Sequence, residues 1–292
     1  MNRVCYLMSY PAHVPYLVVS LHTLRHHWSG QVDVHAWPES ISYVRRMAMD
    51  PRLNIRAVER TPAYKGKNDQ FMDKQKMVMG YPADDSVLYL DADTSVHGSL
   101  DSIFNHADRS RFIATQFSNW RTNGSVIQAR LKRLLDFPVI PRGLVEELLA
   151  RDLPSVNGGV WCCKPNSPVL PRWHEWTDAV KSIFIADECV LHLMQLVHKH
   201  EPFEYDTYIG RWNCSPKYQP AEWPDMSIKI YHYHGDSNMR PDKSQRSFDM
   251  WWKLYHECLE GNIGGIREWR ADVEATNKWF VKLKKEGHTC LV

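Results

Sequence analysis

The chain has 292 residues, 43% of them hydrophobic and 24% charged, which suits a soluble globular body of one large domain or two small ones and excludes a disordered chain. Thirty-six basic residues against 34 acidic ones leave a net charge of +2, so no global field marks a polyanionic partner and only a local patch is left open. Seven cysteines (Cys5, Cys162, Cys163, Cys189, Cys214, Cys258 and Cys290) include no Cys-x-x-Cys pair, so neither a disulfide framework nor a zinc site is indicated, and reduced thiols in a cytosol fit best.

The N-terminal "MNRVCYLMSYPAHVPYLVVSLHTL" is interrupted by Pro11, His13, Pro15 and His22, so it reads as neither a signal peptide nor a membrane span, and the protein is expected to work in the cytoplasm. "RVCYLMS" predicts a strand, "VPYLVVSLHTLRHHW" a helix with Val14, Leu17, Val18, Leu21 and Leu24 at helical spacing, and "VDVHAW" a second strand. This is a βαβ opening. "LNIRAV" alternates like a strand and "DQFMDKQKMVMGY" is helical; "SVLYLD" is a continuous apolar strand of the kind a sheet buries on both faces. Further on, "RFIATQ" and "GGVWCCK" predict strands, and "SPVLPRWHEWTDAVKSIF" a helix with Ser167 as cap and Pro168 at its first position. "DECVLHLMQLVHKH" predicts another helix, and "IKIYHYH" a strand ending in histidines. "SFDMWWKLYHECLEG" and "GGIREWRADVEATNKWFVKLKKEG" close the chain as helical stretches. No repeat or long linker is visible, so the reading is one α/β domain over 1–245 with a helical extension, 246–292, packed on it.

The stretch with most chemistry is "SVLYLDADTSVHGSL". If the backbone stays extended past the strand, Asp91 and Asp93 point to one face while Ala92 points away, which suits a divalent cation at a strand's carboxyl end, where open α/β sheets bind ligands. Turn-capping aspartates are the ordinary alternative.

The order "YPAHVPYLVVSLHTLRHHW", "DKQKMVMGYPADDSVLYLDADTSVHGSLDSIF", "SVNGGVWCCKP", "ADECVLH" and "IKIYHYHGDSNMRP" resembles the nucleotide-sugar transferases of the GT-A fold. Within them it is most similar to the retaining family 8 group that includes glycogenin and lipopolysaccharide glucosyl- and galactosyltransferases. The resemblance spans roughly residues 3 to 243. It implies a Rossmann-like mixed sheet with helices on both faces, a Mn²⁺ or Mg²⁺ cofactor, and a UDP-sugar donor, with UDP-glucose or UDP-galactose favoured.

Carried over residue by residue, the resemblance implies that Asp91 touches the ribose and shares the metal, that Asp93 binds it most directly, and that His232, three residues before Gly235, is the third ligand. Ser9, Tyr10 and His13 fall where the family holds uracil. Lys76 matches the family's donor-reaching lysine better than Lys74 does; solvated helix lysines are the plain alternative. Asn157 and Gly158 would border the sugar, Gly158 by letting the backbone come close. Asp187 would grip sugar hydroxyls, although a carboxylate opening a helix is also explained by the helix dipole. The family's Gly-x-x-Lys-Pro-Trp is altered here, leaving Arg240 or Lys243 to meet the diphosphate. Trp251, Trp252, Trp173 and Trp176 read as core.

The expected reaction is hexose transfer to an acceptor hydroxyl with retention of configuration, the leaving phosphate oxygen taking the acceptor proton and Asp187 or Asn157 stabilising positive charge on the sugar. A nucleotidyltransferase or phosphohydrolase would show a glycine-rich loop that "MSYPAHVPY" lacks, and an inactive sugar-binding module fits poorly with an intact Asp91, Asp93 and His232. A glycan or small glycoside is the expected acceptor. Hydroxymethylated DNA bases are a minority alternative, resting on the basic stretches "QARLKRLL" and "WFVKLKKEGHTC", which are more often solvated helix faces.

Overall fold

The computed structural model describes residues 1–62, 70–198, 204–205, 211–235 and 240–287. In chain order the elements are β1 (Asn2–Met8), α1 (Val14–Arg25), β2 (Gln31–Ala36), α2 (Ile41–Ala48), β3 (Ile55–Glu59), α3 (Gln70–Val78), β4 (Ser86–Leu90), β5 (Thr94–Val96), α4 (Asp101–Ser110), β6 (Phe112–Arg121), α5 (Ser125–Lys132), α6 (Arg142–Ala150) and β7 (Pro154–Cys163). They continue with α7 (Val169–Ala179), α8 (Ala186–Val197), β8 (Glu204–Tyr205), β9 (Ile230–His232), α9 (Gln245–Glu260), α10 (Ile266–Thr276) and α11 (Lys278–Lys285).

Seven strands form one sheet in the order β3-β2-β1-β4-β7-β6-β8, and β5 pairs with β9 in a separate ribbon. The first four are mutually parallel, whereas β7 runs antiparallel to both β4 and β6. The apolar runs of β1 and β4 serve two layers at once, because successive side chains leave opposite faces of a strand. Val4, Tyr6, Met8, Leu88 and Leu90 join a core with α1, α2, α4 and the C-terminal helices. Cys5, Leu7, Val87 and Tyr89 join a second core with α3, α5, α6, α7 and α8. The result is a sheet between two helical layers.

The C-terminal helices share the first core. Trp251 of α9 packs edge-on against Tyr16 of α1, with ring centroids 5.3 Å apart. The last predicted helical stretch is two helices, because Asn277 leaves helical geometry and its side chain accepts from the Trp279 and Phe280 amides to cap α11. The six described cysteines are buried free thiols, and Cys290 lies outside the described residues. Among the described residues no helix is long and apolar enough to cross a membrane.

Candidate active site

The carboxyl end of β4 meets the middle of β7 and the ribbon strand β9, and the candidate site lies there. The chain does not stay extended after Leu90: it turns through Ala92 and Asp93 before β5. The turn is pinned by the Asp91 amide donating to Gly159 O (2.7 Å), the Thr94 hydroxyl to Asp91 O (2.9 Å) and the Tyr233 amide to Asp93 O (2.9 Å). The two carboxylates therefore converge through a turn, where the sequence suggested strand alternation.

One oxygen of each carboxylate is held by the protein. The Tyr89 hydroxyl donates to Asp91 Oδ1 (2.7 Å), and the Gly235 amide donates to Asp93 Oδ2 (2.6 Å). Gly235 has φ of 64°, a left-handed conformation that suits glycine. The other oxygens, Asp91 Oδ2 and Asp93 Oδ1, lie 3.8 and 3.2 Å from Nε2 of buried His232.

His232 is oriented by a buried amide network. Asn213 Oδ1 accepts from His232 Nδ1–H (3.0 Å), and its Nδ2 donates to Thr115 Oγ1 (3.1 Å) and Asn157 Oδ1 (3.3 Å). Asn157 Oδ1 only accepts, so the Asn213 amide faces it with nitrogen and offers its oxygen to the histidine. With Nδ1–H so committed, a neutral ring binding a cation would turn the Nε2 lone pair toward the space between both carboxylates, the arrangement an outer-shell partner imposes on a metal-ligating histidine.

Burial pushes the Asp91 carboxyl above its ordinary range. Burial opposes the charged form of Asp93 as well, but His232, with His234 and His13 adding to it, holds that carboxyl well below the usual range. Burial likewise disfavours protonated His232, yet the facing Asp93 and Asp91 outweigh it and raise the imidazole above its ordinary value. Two carboxylate oxygens and one imidazole nitrogen within 4.8 Å of one another are hard and borderline donors that fit Mg²⁺ or Mn²⁺. The cradle also needs a bare backbone opposite it: a Cβ on Gly159 would lie 2.6 Å from Asp91 Oδ2 and 2.9 Å from Asn157 Oδ1.

Lys74, and not Lys76, reaches this centre. On α3 it shares the inward face with Met77 and Val78, pairs with Asp187 of α8 and donates to Gly158 O (2.9 Å), while Lys76 is exposed and lines neither cavity described below. Lys74 and Asp187 are each 3% exposed. Burial works against the Lys74 ammonium, but Asp187 and Asp91 together raise it above the ordinary lysine value. A Cβ on Gly158 would crowd the pair, at 2.6 Å from Asp187 Oδ2 and 2.7 Å from Lys74 Nζ. Below it Trp161 Nε1 also donates to Gly158 O (3.1 Å), and the Trp161 ring stacks 5.2 Å from Tyr89.

Beside Asp187, Glu188 accepts from Asn157 Nδ2 (2.7 Å) and pairs with Arg130 (2.9 Å). Both acids lie in the first turn of α8, which is preceded by Ile185, a β-branched residue held at φ 55°, a strained conformation of the kind found beside functional sites.

His192 on the same helix anchors β7 next to Asn157. Its Nδ1–H donates to Glu188 O (2.7 Å), and its Nε2 lies 3.0 Å from the Ser155 hydroxyl and accepts from the Val156 amide (3.3 Å). Burial lowers its pKa to about 4. Because the unfolded imidazole titrates near 6.5, the unfolded chain binds a proton the folded one refuses between those values, and stability falls as pH drops through that window. We expect wild-type protein to lose about 2–3 kcal/mol more than His192→Gln between pH 7 and 4.5 in urea melts. A difference independent of pH would refute this.

Two cavities meet at Asp91 and Asp93, and Lys74 also lines both. The smaller, about 170 Å³, is bordered by Ser9, Tyr10, His13, Tyr16, Gln70 and Tyr89. The larger, about 440 Å³, is bordered by Asn157, Gly158, Asp187, Glu188 and His232, with aromatic rings beyond. The sequence-derived Ser9, Tyr10, His13, Asp91, Asp93, Gly235, Asn157, Gly158, Asp187 and His232 are thus brought together around one centre. Arg240 and Lys243 are not: Arg240 pairs with Asp242 through two contacts (3.0 and 2.8 Å), and neither residue borders either cavity. Residues 236–239, between them and Gly235, lie outside the described residues.

No family model matches the sequence, and no curated protein matches it. Solved structures do match. The galactosyltransferase LgtC, in complex with donor and acceptor sugar analogs, is similar at TM-score 0.58 and 15% identity over 88% of this chain and 96% of that one. Mouse xyloside xylosyltransferase 1 gives 0.54 at 14% identity over 81% and 99%, and the glycosyltransferase GlyE of Streptococcus pneumoniae TIGR4 gives 0.52 at 13% over 89% and 64%. The chain has the GT-A glycosyltransferase fold.

Proposed function

We propose that the protein is a metal-dependent glycosyltransferase that moves a hexose from a UDP-sugar to an acceptor hydroxyl with retention of configuration. The observation that carries this reading is the junction of a small cavity and a larger one at a single Asp-Asp-His centre, as a nucleotide and the sugar it carries would require. The smaller cavity, with Tyr10 and His13, is assigned to the nucleoside, and the larger to the sugar and its acceptor.

Bound at Asp91, Asp93 and His232, Mn²⁺ or Mg²⁺ would supply positive charge against the departing diphosphate. Asn213 and Tyr89 hold two of those ligands in place, and Lys74 fixes Asp187 where it faces the sugar. In the step proposed, the acceptor oxygen bonds to the anomeric carbon as the carbon–phosphate oxygen bond breaks, its electron pair staying with the diphosphate. The acceptor proton passes to a phosphate oxygen on the same face. Asp187 and Asn157 offer acceptor oxygens against the positive charge that develops on the sugar ring.

A thermal-shift screen of nucleotide sugars with and without Mn²⁺ tests the donor. UDP-glucose or UDP-galactose at a hundred times its dissociation constant should stabilise by about 2.7 kcal/mol, and only with metal. Stronger stabilisation by a GDP- or CMP-sugar would overturn the donor assignment. Release of free UDP from the winning donor separates a transferase from an inactive binding module.

A further inference from the structure

The larger cavity has a wall that the donor reading leaves unused. From the metal-facing His232 a chain of ring contacts runs outward: His234 stacks on it at 3.8 Å, Phe117 meets His234 edge-on at 4.4 Å, and Trp120 meets Phe117 at 5.2 Å. Tyr218 closes the wall 5.0 Å from Trp120. All four of these outer rings border the cavity, and Phe184, 65% exposed, stands at its mouth. The wall is built rather than incidental. The register of β6 against β7 breaks on either side of Gln116, and Ser118 sits at φ 47°, so the strand end is re-aimed. Buried Gln116 then fixes the turn by donating from Nε2 to Trp120 O (3.1 Å). One face of Tyr218 is taken by the Lys217 ammonium, 5.0 Å from the ring centroid, which leaves half-buried Trp120 as the platform.

Charge narrows the occupant. Among the described residues, the lysine and arginine side chains that line this cavity are Lys74 and Arg130, and each is already paired with a carboxylate, Asp187 and Glu188 respectively. Neither cation is left to meet a backbone phosphate, so the wall is a poor host for a phosphodiester. A pyranose presents one face of C–H bonds, made slightly positive by the neighbouring oxygens, that suits the negative face of an indole. We propose that the wall centred on Trp120 is the acceptor subsite and that it takes an uncharged saccharide by stacking. This rests on the glycosyl-transfer reading above.

The test titrates cellobiose, lactose, maltotriose and a hydroxymethylcytosine-containing oligonucleotide onto protein loaded with Mn²⁺ and UDP, followed by NMR, with UDP affinity measured first. At least one saccharide should bind. Trp120→Ala should weaken it about tenfold and Tyr218→Ala less, Trp120→Phe should stay within about threefold of wild type, and UDP affinity should hold in all three. Equal saccharide affinity in wild type and both alanine variants would overturn the subsite, as would binding of no saccharide, or tighter binding of the oligonucleotide than of every saccharide. Wild-type protein that binds no UDP would bring down the proposed function together with the subsite, and the preliminary UDP measurement tells that case from the others.

Discussion

Asp93→Asn is expected to reduce Mn²⁺ affinity by more than about a hundredfold, past the 10–100-fold typical of an outer-shell partner, and to abolish metal-dependent donor binding. The amide keeps the side-chain shape and an oxygen for the Gly235 amide, but it removes the charge facing His232. Stability without metal should fall modestly, since a carboxyl that His232 holds below its ordinary range stabilises the fold while ionised and the amide does not. Metal titration followed by electron paramagnetic resonance, with a urea melt of the same sample, separates lost ligation from lost folding. An asparagine variant that binds Mn²⁺ as tightly as wild type would remove the metal centre from the proposed function.

Lys74→Met should be the most damaging single change to stability among the site residues. It strands the Asp187 carboxylate at a position 3% exposed, and breaking a buried pair from one side costs about 3–5 kcal/mol. The sign with pH is plain: a lysine raised above its unfolded value contributes fully below that value and loses its contribution only as pH climbs through the folded one. A comparison at pH 7 therefore captures the whole effect. The double variant Lys74→Met/Asp187→Leu should recover most of the stability and none of the proposed transferase activity, because an apolar pair replaces the ions without restoring the carboxylate assigned above to the sugar. If the double variant were as unstable as the single one, the stranded charge would not be the cause.

The contrast between Lys74 and Lys76 shows what sequence could convey here. A family-like lysine-apolar pattern pointed to Lys76, yet the helix period places Lys74 with Met77 and Val78, three and four residues on, and a charged residue on an apolar stripe signals a buried partner. The principal strands of the sheet were legible from their apolar runs, and the Asp-x-Asp from its place after β4. Asn213, Tyr89 and the Phe117–Trp120 wall carried no comparable signal. Asn213 takes its role from His232, Thr115 and Asn157, brought together only by the sheet. Trp120 is aimed by a break in strand register that no periodicity announces. The ribbon strands β5 and β9, three residues each, are too short for a period to register, although the apolar run before His232 was visible.

That ribbon gives the site a peculiar dependence on chain closure. Thr94 faces His232, Ser95 faces Tyr231 and Val96 faces Ile230, and these three pairs with the Asp93–Gly235 contact join segments 134 to 142 residues apart. Neither segment can assemble the centre by itself, so its formation waits on the entropy of closing a very long loop, which the surrounding sheet must already have reduced. Once closed, β9 is held from both sides: β5 pairs with one edge, and on the other the Cys214 amide donates to Ile230 O (3.1 Å) while Cys214 O accepts from the His232 amide (2.9 Å). An ion that ties Asp91 and Asp93 to His232 would act as a clasp on that long closure.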